Sequence, residues 1–226
     1  MTNDRSEWAC ERVERLEDIP EPVPTGEFVV VDVIISSTSI VRLLEGGAEY
    51  VKPFGDPEPA LEFKEQTEDA LLVGEDGGGA IEGFDLSPLP SIIEDADVAG
   101  RPVGIRTSNG TRAMERIGHT DGLLVGSTVN AAAVAEELSD RGTDSLIVAA
   151  GRQGAPTPED SVGAELIQGR YRDASLDEDA LRERIRECST AEWLRSMGYD
   201  HEIDALLQFD STETVPTLRD GVFVDI

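Results

Sequence analysis

The chain has 226 residues, enough to bury the core of one large domain or two small ones. It carries 47 acidic and 19 basic residues, and its formal net charge is −28 at pH 7. The acids are spread along the whole sequence and no basic stripe exists to meet a phosphate backbone, so nucleic acid is excluded as a partner. An apolar fraction of 39% also excludes a wholly disordered chain.

The acidity has two interpretations. A surface adapted to very high salt is favoured, because salt screens the self-repulsion; an ordinary acidic cytosolic protein is the alternative.

Cys10 and Cys188 lie far apart with no metal-ligand spacing, which fits a reducing cytosol. The start of the chain is charged, unlike a signal peptide, and no apolar run approaches the roughly 20 residues that span a bilayer. The sequence therefore predicts a cytoplasmic protein with no membrane partner.

The first predicted elements form a strand, a turn and a helix. Residues 1–26 are expected to be a charged N-terminal extension, with a short helix followed by the proline-rich segment IPEPVPTGE. The apolar, β-branched run FVVVDVII (28–35) is typical of a strand buried on both faces. The hydroxyl-rich segment SSTS (36–39) follows, and IVRLLEGG then has helical spacing and a glycine stop.

The strand-and-turn pattern recurs later in the chain. It is found in residues 70–79, 101–118, 122–142 and 144–169. This alternation predicts a three-layer α/β/α fold with a mostly parallel or mixed central sheet, in a single domain over residues 27–226. Residues 176–198 are predicted to form two helices, and the segment ETVPTLRDGVFVDI a final hairpin or edge strand. The repeated strand, turn and helix pattern has two explanations: a duplicated half, or chance similarity of short βα units.

Unusual turns follow the predicted strands, where open parallel sheets bind their ligands. They are Ser36–Ser39, Thr107–Thr111, Ser127–Asn130 and Gly151–Asp160. A helix N-terminus offers free N–H groups and partial positive charge, which suit a phosphate group. Several such ends at one edge of the sheet predict an anion-binding pocket.

Acidic residues follow the same strands. They are Asp32, Glu75, Asp85, Glu159 and Asp160. Carboxylates beside an anion pocket require a cation between them, and all-oxygen ligands favour Mg²⁺. Asp32 is the most unusual, because a carboxylate inside an apolar strand must be paired, hydrogen-bonded or bound to metal. The structural alternatives are helix capping by TPED (157–160), a turn at SNGT (108–111) and a loop tip at GGG (77–79).

Taken in order, these motifs resemble the 2-phosphosulfolactate phosphatase family, the Mg²⁺-dependent phosphatases of coenzyme M biosynthesis. The resemblance runs from about residue 28 to the C-terminus. Five segments carry it: DVIISSTS, GEDGGGAIEGFDL, TSNGTRAM, GSTVNAAA and GAPTPEDSVGAELI. It implies a small anionic phosphate ester as the substrate. Relatives of this architecture commonly pair, so a homodimer is expected as well.

The resemblance and the residues together give the expected site. The residues expected to bind Mg²⁺ are Asp32, Glu75 and Asp85. The expected catalytic residues are Asp32, Glu159 and Asp160. Asp32 is the candidate nucleophile or base. The expected substrate-binding residues are Ser36, Ser37, Thr38, Arg106, Thr107, Asn109, Gly110 and Thr111.

The sequence departs from the family pattern where the family places two arginines. Ile35 and Asp76 stand at those positions, and SPLP replaces the family's Gly-Asn-Ser-Pro after GFDL. Arginine binds carboxylate, sulfonate and phosphate through a planar fork of donors, so their loss weakens the binding of a multiply charged substrate. Arg106, Arg112 and Arg152 offer partial compensation, and Asp76 could instead add a metal ligand.

Two functions are consistent with the sequence. The first is a Mg²⁺-dependent phosphatase that hydrolyses a small phosphomonoester, of the 2-phospho-hydroxyacid type. The second is a non-catalytic relative that binds a small anion or another protein. A nucleotide-binding Rossmann domain is disfavoured, because no G-x-G-x-x-G follows the first strand and no P-loop lysine exists. His119 and His201 lie in polar stretches and are predicted to be surface residues.

Overall fold

The computed structural model describes residues 9–23, 25–106, 112, 116–117 and 122–226. Within them, nine strands form one sheet: β1 (Glu11–Val13), β2 (Glu27–Val31), β3 (Tyr50–Phe54), β4 (Leu71–Gly74), β5 (Pro102–Arg106), β6 (Leu124–Gly126), β7 (Ser145–Ala149), β8 (Thr217–Arg219) and β9 (Val222–Val224). The helices are α1 (Ser36–Glu45), α2 (Pro57–Gln66), α3 (Pro90–Glu94), α4 (Ala131–Arg141), α5 (Pro158–Tyr171), α6 (Glu178–Arg186), α7 (Ser189–Ser196) and α8 (Asp200–Leu206).

The sheet consists of two parallel halves joined by a hairpin. Its strand order is β1-β7-β2-β6-β8-β9-β3-β5-β4. The first half (β1, β7, β2 and β6) is parallel throughout, and so is the second half (β3, β5 and β4). The β8–β9 hairpin lies between them and is antiparallel to β6 on one side and to β3 on the other. Three antiparallel steps separate β6 from β3, so the two halves run in opposite senses.

Helices cover both faces of the sheet. Side chains alternate along a strand, and Val29 and Val31 of β2 pack in one core with α4 and α5. Phe28 and Val30 point to the opposite face and pack in a second core with α1. The predicted α/β fold with a mixed, mostly parallel sheet is confirmed. So are the two helices predicted within residues 176–198 and the final hairpin.

The N-terminal residues differ from the prediction. Instead of a short helix, residues Glu11–Val13 form a strand that pairs in parallel with β7, and a 3-10 helix follows at Leu16–Asp18. Leu16 and Ile19 are buried in the core shared with α1. Tertiary pairing thus overrides the helical character of a charged segment. The division into residues 1–26 and 27–226 stays a prediction.

Within the described ranges, none of the helices is both long enough and apolar enough to cross a membrane.

Candidate active site

A cavity of about 370 Å³ lies where strands from both halves end. Its wall includes Asp32 after β2, Glu75 after β4, Arg106 at the end of β5, and Gly151 just beyond β7. Residues from both halves thus line one cavity, although the halves run in opposite senses. The predicted location of a ligand site, beyond the carboxyl ends of the strands, is where this cavity lies.

Asp32 is held at the end of β2 by the turn into α1. Its N–H donates to Ser37 Oγ at 2.8 Å, and the Ser37 N–H donates to the Asp32 carbonyl oxygen at 2.9 Å. The residue is only 4% exposed, and this burial raises the pKa of Asp32 from 3.8 to about 6. The Ser36 hydroxyl and N–H oppose that rise in pKa, whereas the charges of Glu159 and Glu75 add to it.

Glu159 and Asp160 lie in the first turn of α5 and are both buried. The Thr190 hydroxyl donates to Glu159 Oε1 at 2.6 Å, whereas Glu159 Oε2 is buried without a hydrogen-bond partner. Both oxygens of Asp160 accept from backbone, Oδ1 from Val33 N–H at 2.8 Å and Oδ2 from Gly151 N–H at 3.0 Å. Asp160 therefore ties the end of β2 to the end of β7, and Glu159 keeps an oxygen free for a ligand.

The three buried acids influence one another. Burial is the largest cause of a pKa of Asp160 well above its ordinary value, and the charges of Asp32 and Glu159 raise it further. Thr157 is the N-cap residue of α5, but its side chain makes no cap hydrogen bond. Its buried hydroxyl lies close to Asp160, outside hydrogen-bond geometry. Capping alone therefore does not explain the TPED segment.

The triglycine segment forms a tight turn after β4. Asp76 and Gly79 exchange two backbone hydrogen bonds, at 2.9 and 3.0 Å. Between them, Gly77 and Gly78 have φ angles of 59° and 85°. Two successive positive φ angles are typical of the hairpin turns that glycine forms without steric cost.

Gly78 also makes two close approaches to other residues of the cavity wall. Its N–H donates to Glu75 Oε2 at 2.5 Å, which fixes the carboxylate over the turn. A Cβ added to Gly78 would lie 2.3 Å from Cζ2 of the Trp193 ring. Glycine is thus required both by the turn and by the indole ring that packs on it.

A second turn with the same backbone pattern follows β7. Arg152 and Ala155 exchange two backbone hydrogen bonds at 2.8 and 3.0 Å. The central residues, Gln153 and Gly154, have φ angles of 52° and 79°. The two turns stand on different halves of the sheet, and both contribute residues to the wall of the cavity.

Arg106 is the most buried cation of the cavity wall among the described residues, with a side chain that is 13% exposed. Its Nη1 donates to the Glu75 carbonyl oxygen at 2.5 Å and lies 3.3 Å from Asp76 Oδ1. Its Nε is buried without a hydrogen-bond partner. Arg106 therefore holds the start of the glycine turn and still has a donor free.

Three expected site residues are not brought to the cavity. Asp85 is bound by Lys64 Nζ at 2.5 Å and by Leu72 N–H at 2.7 Å, and it is absent from the cavity wall. Ser37 and Thr38 are buried in α1, where their hydroxyls donate to backbone carbonyls at the end of β2. These hydroxyls organise the turn, and of the expected serines and threonines of this segment only Ser36 lines the cavity.

Four of the expected substrate-binding residues lie outside the described residues. They are Thr107, Asn109, Gly110 and Thr111. His119 lies outside them as well. The side chain of His201 is 61% exposed, which confirms the prediction of a surface residue.

One wall of the cavity was not predicted from the sequence. It comes from α7 and the residues after it. Thr190, Trp193, Met197 and Tyr199 line this wall. Trp193 and Met197 are spaced four residues apart, so they share one helix face, and both are 38% exposed. An exposed apolar pair at helical spacing was the available signal, but its position beside the strand ends depends on tertiary packing.

The donor set fits the kind of site that Mg²⁺ uses. Mg²⁺ is usually bound through one or two carboxylates, with water and phosphate oxygens completing its shell. Asp32 and Glu159 offer two buried carboxylates, and the unpartnered Glu159 Oε2 is a free oxygen ligand. Within the described part of the chain, no three Asp, Glu, His or Cys side chains are already grouped to hold a metal ion. Asp32 and Glu159 are thus the two described residues that would hold such an ion.

A model of the family described as 2-phosphosulpholactate phosphatase matches residues 13–221. The chain belongs to the 2-phosphosulfolactate phosphatase family. A probable 2-phosphosulfolactate phosphatase of Thermotoga petrophila is 32% identical over 216 residues, which cover 90% of this chain and 93% of that protein. Proteins of the same name in Prochlorococcus marinus and Thermoplasma volcanium are 32% and 29% identical, over 84% and 87% of this chain and 79% and 91% of theirs.

The match to the 2-phosphosulfolactate phosphatase family begins earlier than the motifs suggested. It starts at residue 13, within β1, whereas the resemblance in the sequence was placed from about residue 28. The pairing of β1 with β7 gives the physical reason, because this segment is part of the sheet. The match extends through β8 and so includes the strand ends that form the cavity.

Proposed function

We propose that the protein is a Mg²⁺-dependent phosphatase that hydrolyses a small phosphomonoester of the 2-phospho-hydroxyacid type, such as 2-phosphosulfolactate. One observation carries the proposal. Among the described residues, four buried side-chain polar atoms lack a partner, and three of them belong to residues of the cavity wall: Arg106 Nε, Thr157 Oγ1 and Glu159 Oε2. Buried polar atoms without partners are costly, so a polar ligand that supplies those partners is expected here.

The names of the relatives support the reaction type, since each is a probable 2-phosphosulfolactate phosphatase. The donors support the cofactor. Asp32 and Glu159 would hold Mg²⁺. Glu75 is close enough for its charge to act on Asp32. When bound, Mg²⁺ supplies positive charge that polarises the phosphoryl group and stabilises the leaving oxygen.

Asp32 is proposed as the general base. In the protein without metal, the pKa of Asp32 is about 6, so its carboxylate is ionised at neutral pH, and an oxygen of it that does not bind the metal would accept a proton from an attacking water. The water oxygen bonds to phosphorus as the bond from phosphorus to the ester oxygen breaks, the departing alkoxide takes a proton from solvent water, and Asp32 returns its proton to solvent. Arg106 would bind a non-bridging oxygen through its free Nε, and Asp160 would hold the strand ends in register.

Phosphate release from 2-phosphosulfolactate and 2-phospholactate tests this proposal. Assays of the whole chain in molar KCl would compare added Mg²⁺ with excess EDTA. We expect release that depends on Mg²⁺ and is lost in Asp32→Asn, because that amide can neither accept the proton nor bind the metal well. Asp85→Asn is the matched control, since Asp85 is paired with Lys64 away from the cavity. A folded protein that releases phosphate from neither ester, with or without Mg²⁺, would contradict the proposal.

The expected salt adaptation and cytoplasmic location remain proposals of the same kind. The salt adaptation rests on the net charge of −28, and the location rests on two free cysteines, which fit a reducing compartment. Urea unfolding at 0.1 M and 2 M KCl tests the first. A free energy of unfolding that does not rise with salt would oppose it.

A further inference from the structure

The wall of the cavity contains both charged and apolar residues. The charged residues include Asp32, Glu75, Glu159, Asp160 and Arg106. The apolar residues include Ile34, Ile35, Leu89, Trp193, Leu194 and Met197. Phosphate and metal chemistry use only the charged residues. The apolar residues are therefore available to another part of the ligand.

Trp193 and Met197 are the most exposed of these apolar residues. Among the described residues, only four large hydrophobic residues are exposed, and these two are each 38% exposed. The other two, Val23 and Ile226, do not line the cavity. Exposed apolar side chains that gather at the wall of a cavity are a common feature of ligand sites.

The Trp193 ring is fixed in place by its neighbours. It packs directly on the backbone of Gly78, where any Cβ would overlap it. Gly78 in turn is held by Glu75 Oε2. The same helix carries Thr190, which orients Glu159. The indole face is thus held at a set position relative to the carboxylates.

The size and charge of the cavity limit what can lie there. Its volume of about 370 Å³ equals about twelve liquid waters at roughly 30 Å³ each, so a phosphoryl group leaves much of it empty. Four acids and three arginines line it, and two of those arginines, Arg112 and Arg152, are exposed. Among the described residues of the wall, a second strongly anionic group on the ligand would find Arg106 as the one buried cation.

We infer that the organic part of the preferred phosphomonoester carries an apolar side chain, aromatic or branched aliphatic, that packs against Trp193 and Met197. This inference rests on the proposed function and specifies its substrate class: a 2-phospho-hydroxyacid with an apolar side chain at the position where 2-phosphosulfolactate carries its sulfonate group. Trp193 and Met197 are then specificity-determining residues, and the free Arg106 donor binds an oxygen of the phosphate or of a single adjacent carboxylate.

Two esters that differ only in the side chain test the inference: 2-phospholactate, with a methyl group, and 2-phospho-3-phenyllactate, with a benzyl group. We expect wild-type kcat/KM to be at least about 10-fold higher for the benzyl ester, as packing of several apolar carbons predicts. In Trp193→Ala and in Met197→Ala this ratio should fall several-fold towards one. Ile226→Ala, which removes an exposed apolar side chain outside the cavity, should keep the wild-type ratio.

A wild-type ratio near one, or a ratio that Trp193→Ala leaves unchanged, would overturn the inference. If neither ester is hydrolysed, the proposed function fails, and binding decides the inference separately. The fluorescence of Trp193 in a Trp8→Phe background would be titrated with benzylphosphonate and with methylphosphonate in the presence of Mg²⁺. Tenfold tighter binding of benzylphosphonate, with a change in emission, supports the apolar wall, and equal affinities refute it.

Discussion

The two halves of the sheet contribute differently to one cavity. The first half supplies Asp32, Glu159 and Asp160, each at most 4% exposed. The second half supplies Glu75, the glycine turn and Arg106, which are closer to solvent and are tied together by hydrogen bonds. Burial raises the pKa of Asp32 and of Asp160, both in the first half. In the proposed reaction, the first half would therefore supply the proton acceptor, and the second half would position the ligand.

The two tight turns make the same point at the level of the backbone. Both close with a pair of backbone hydrogen bonds, and both have two successive positive φ angles. The turn after β4 begins with Asp76 and needs glycine because Trp193 packs on Gly78. The turn after β7 begins with Arg152 and accommodates Gln153 at a central position. The same turn conformation thus occurs in an acidic, packed turn in one half and in a basic, open turn in the other.

The largest expected effect separates the acids of the two halves. Asp32→Asn should lower kcat/KM by about 10³-fold, the typical cost of losing a general base, here combined with loss of a metal ligand. Glu75→Gln should cost only about 10-fold, as for residues that support a site from outside its centre. Steady-state phosphate release at saturating Mg²⁺ measures both. A larger loss of kcat/KM in Glu75→Gln than in Asp32→Asn would contradict this difference between the two halves.

The glycines of the two turns give a matched pair for stability. Gly78→Ala should destabilise the fold by about 2–4 kcal/mol, because a strained positive φ is combined with overlap against the Trp193 ring. Gly154→Ala has comparable strain, but its nearest neighbour, Glu17 Oε1, is 3.6 Å away, so about 1 kcal/mol is expected. Urea unfolding of both variants tests this. Equal losses would mean that the indole ring moves aside freely.

The buried acid of the first half predicts a pH dependence of stability in EDTA. Between pH 3.8 and about 6, folded Asp32 retains a proton that unfolded Asp32 has released, so the free energy of unfolding falls as the pH rises through this window. Above it, the loss is complete and amounts to about 2–3 kcal/mol. Asp32→Asn should therefore make the profile less steep, with the part that comes from Asp160 remaining, and should stabilise the metal-free protein at pH 7. Unfolding curves at pH 4, 5, 6 and 7 test it, and a variant less stable than wild type at pH 7 would contradict it.

The smallest effect is expected at Asp85, in the second half. Asp85→Asn removes the charge paired with Lys64 but keeps an acceptor for Leu72 N–H. Both side chains of the ion pair are about 30% exposed, at 33% and 29%, so the stability loss should stay within about 1 kcal/mol. Phosphatase activity should change less than about twofold. A loss near that of Asp32→Asn would restore Asp85 as a metal ligand.

Much of the fold and part of the site could be predicted from the sequence. Asp32 was identifiable because a carboxylate at the end of an apolar strand must have a partner, and Glu159 because an acid begins a helix after a glycine-rich turn. Ser37 and Thr38 could not be distinguished from Ser36, since only the orientation of α1 decides which hydroxyls face the cavity. The ion pair of Asp85 with Lys64 of α2 and the position of Trp193 beside the cavity could not be read from the sequence, because both depend on how helices pack against the rest of the fold.

The hairpin of β8 and β9 has a consequence for biosynthesis. These two strands are translated after every other strand of the sheet, yet they are the ones that join its halves. A nascent chain that has not reached residue 217 can pair the strands within each half, but the edges of β6 and β3 stay open to unwanted pairing. The two halves of the sheet can therefore be joined through the hairpin only after β8 and β9 have been synthesised.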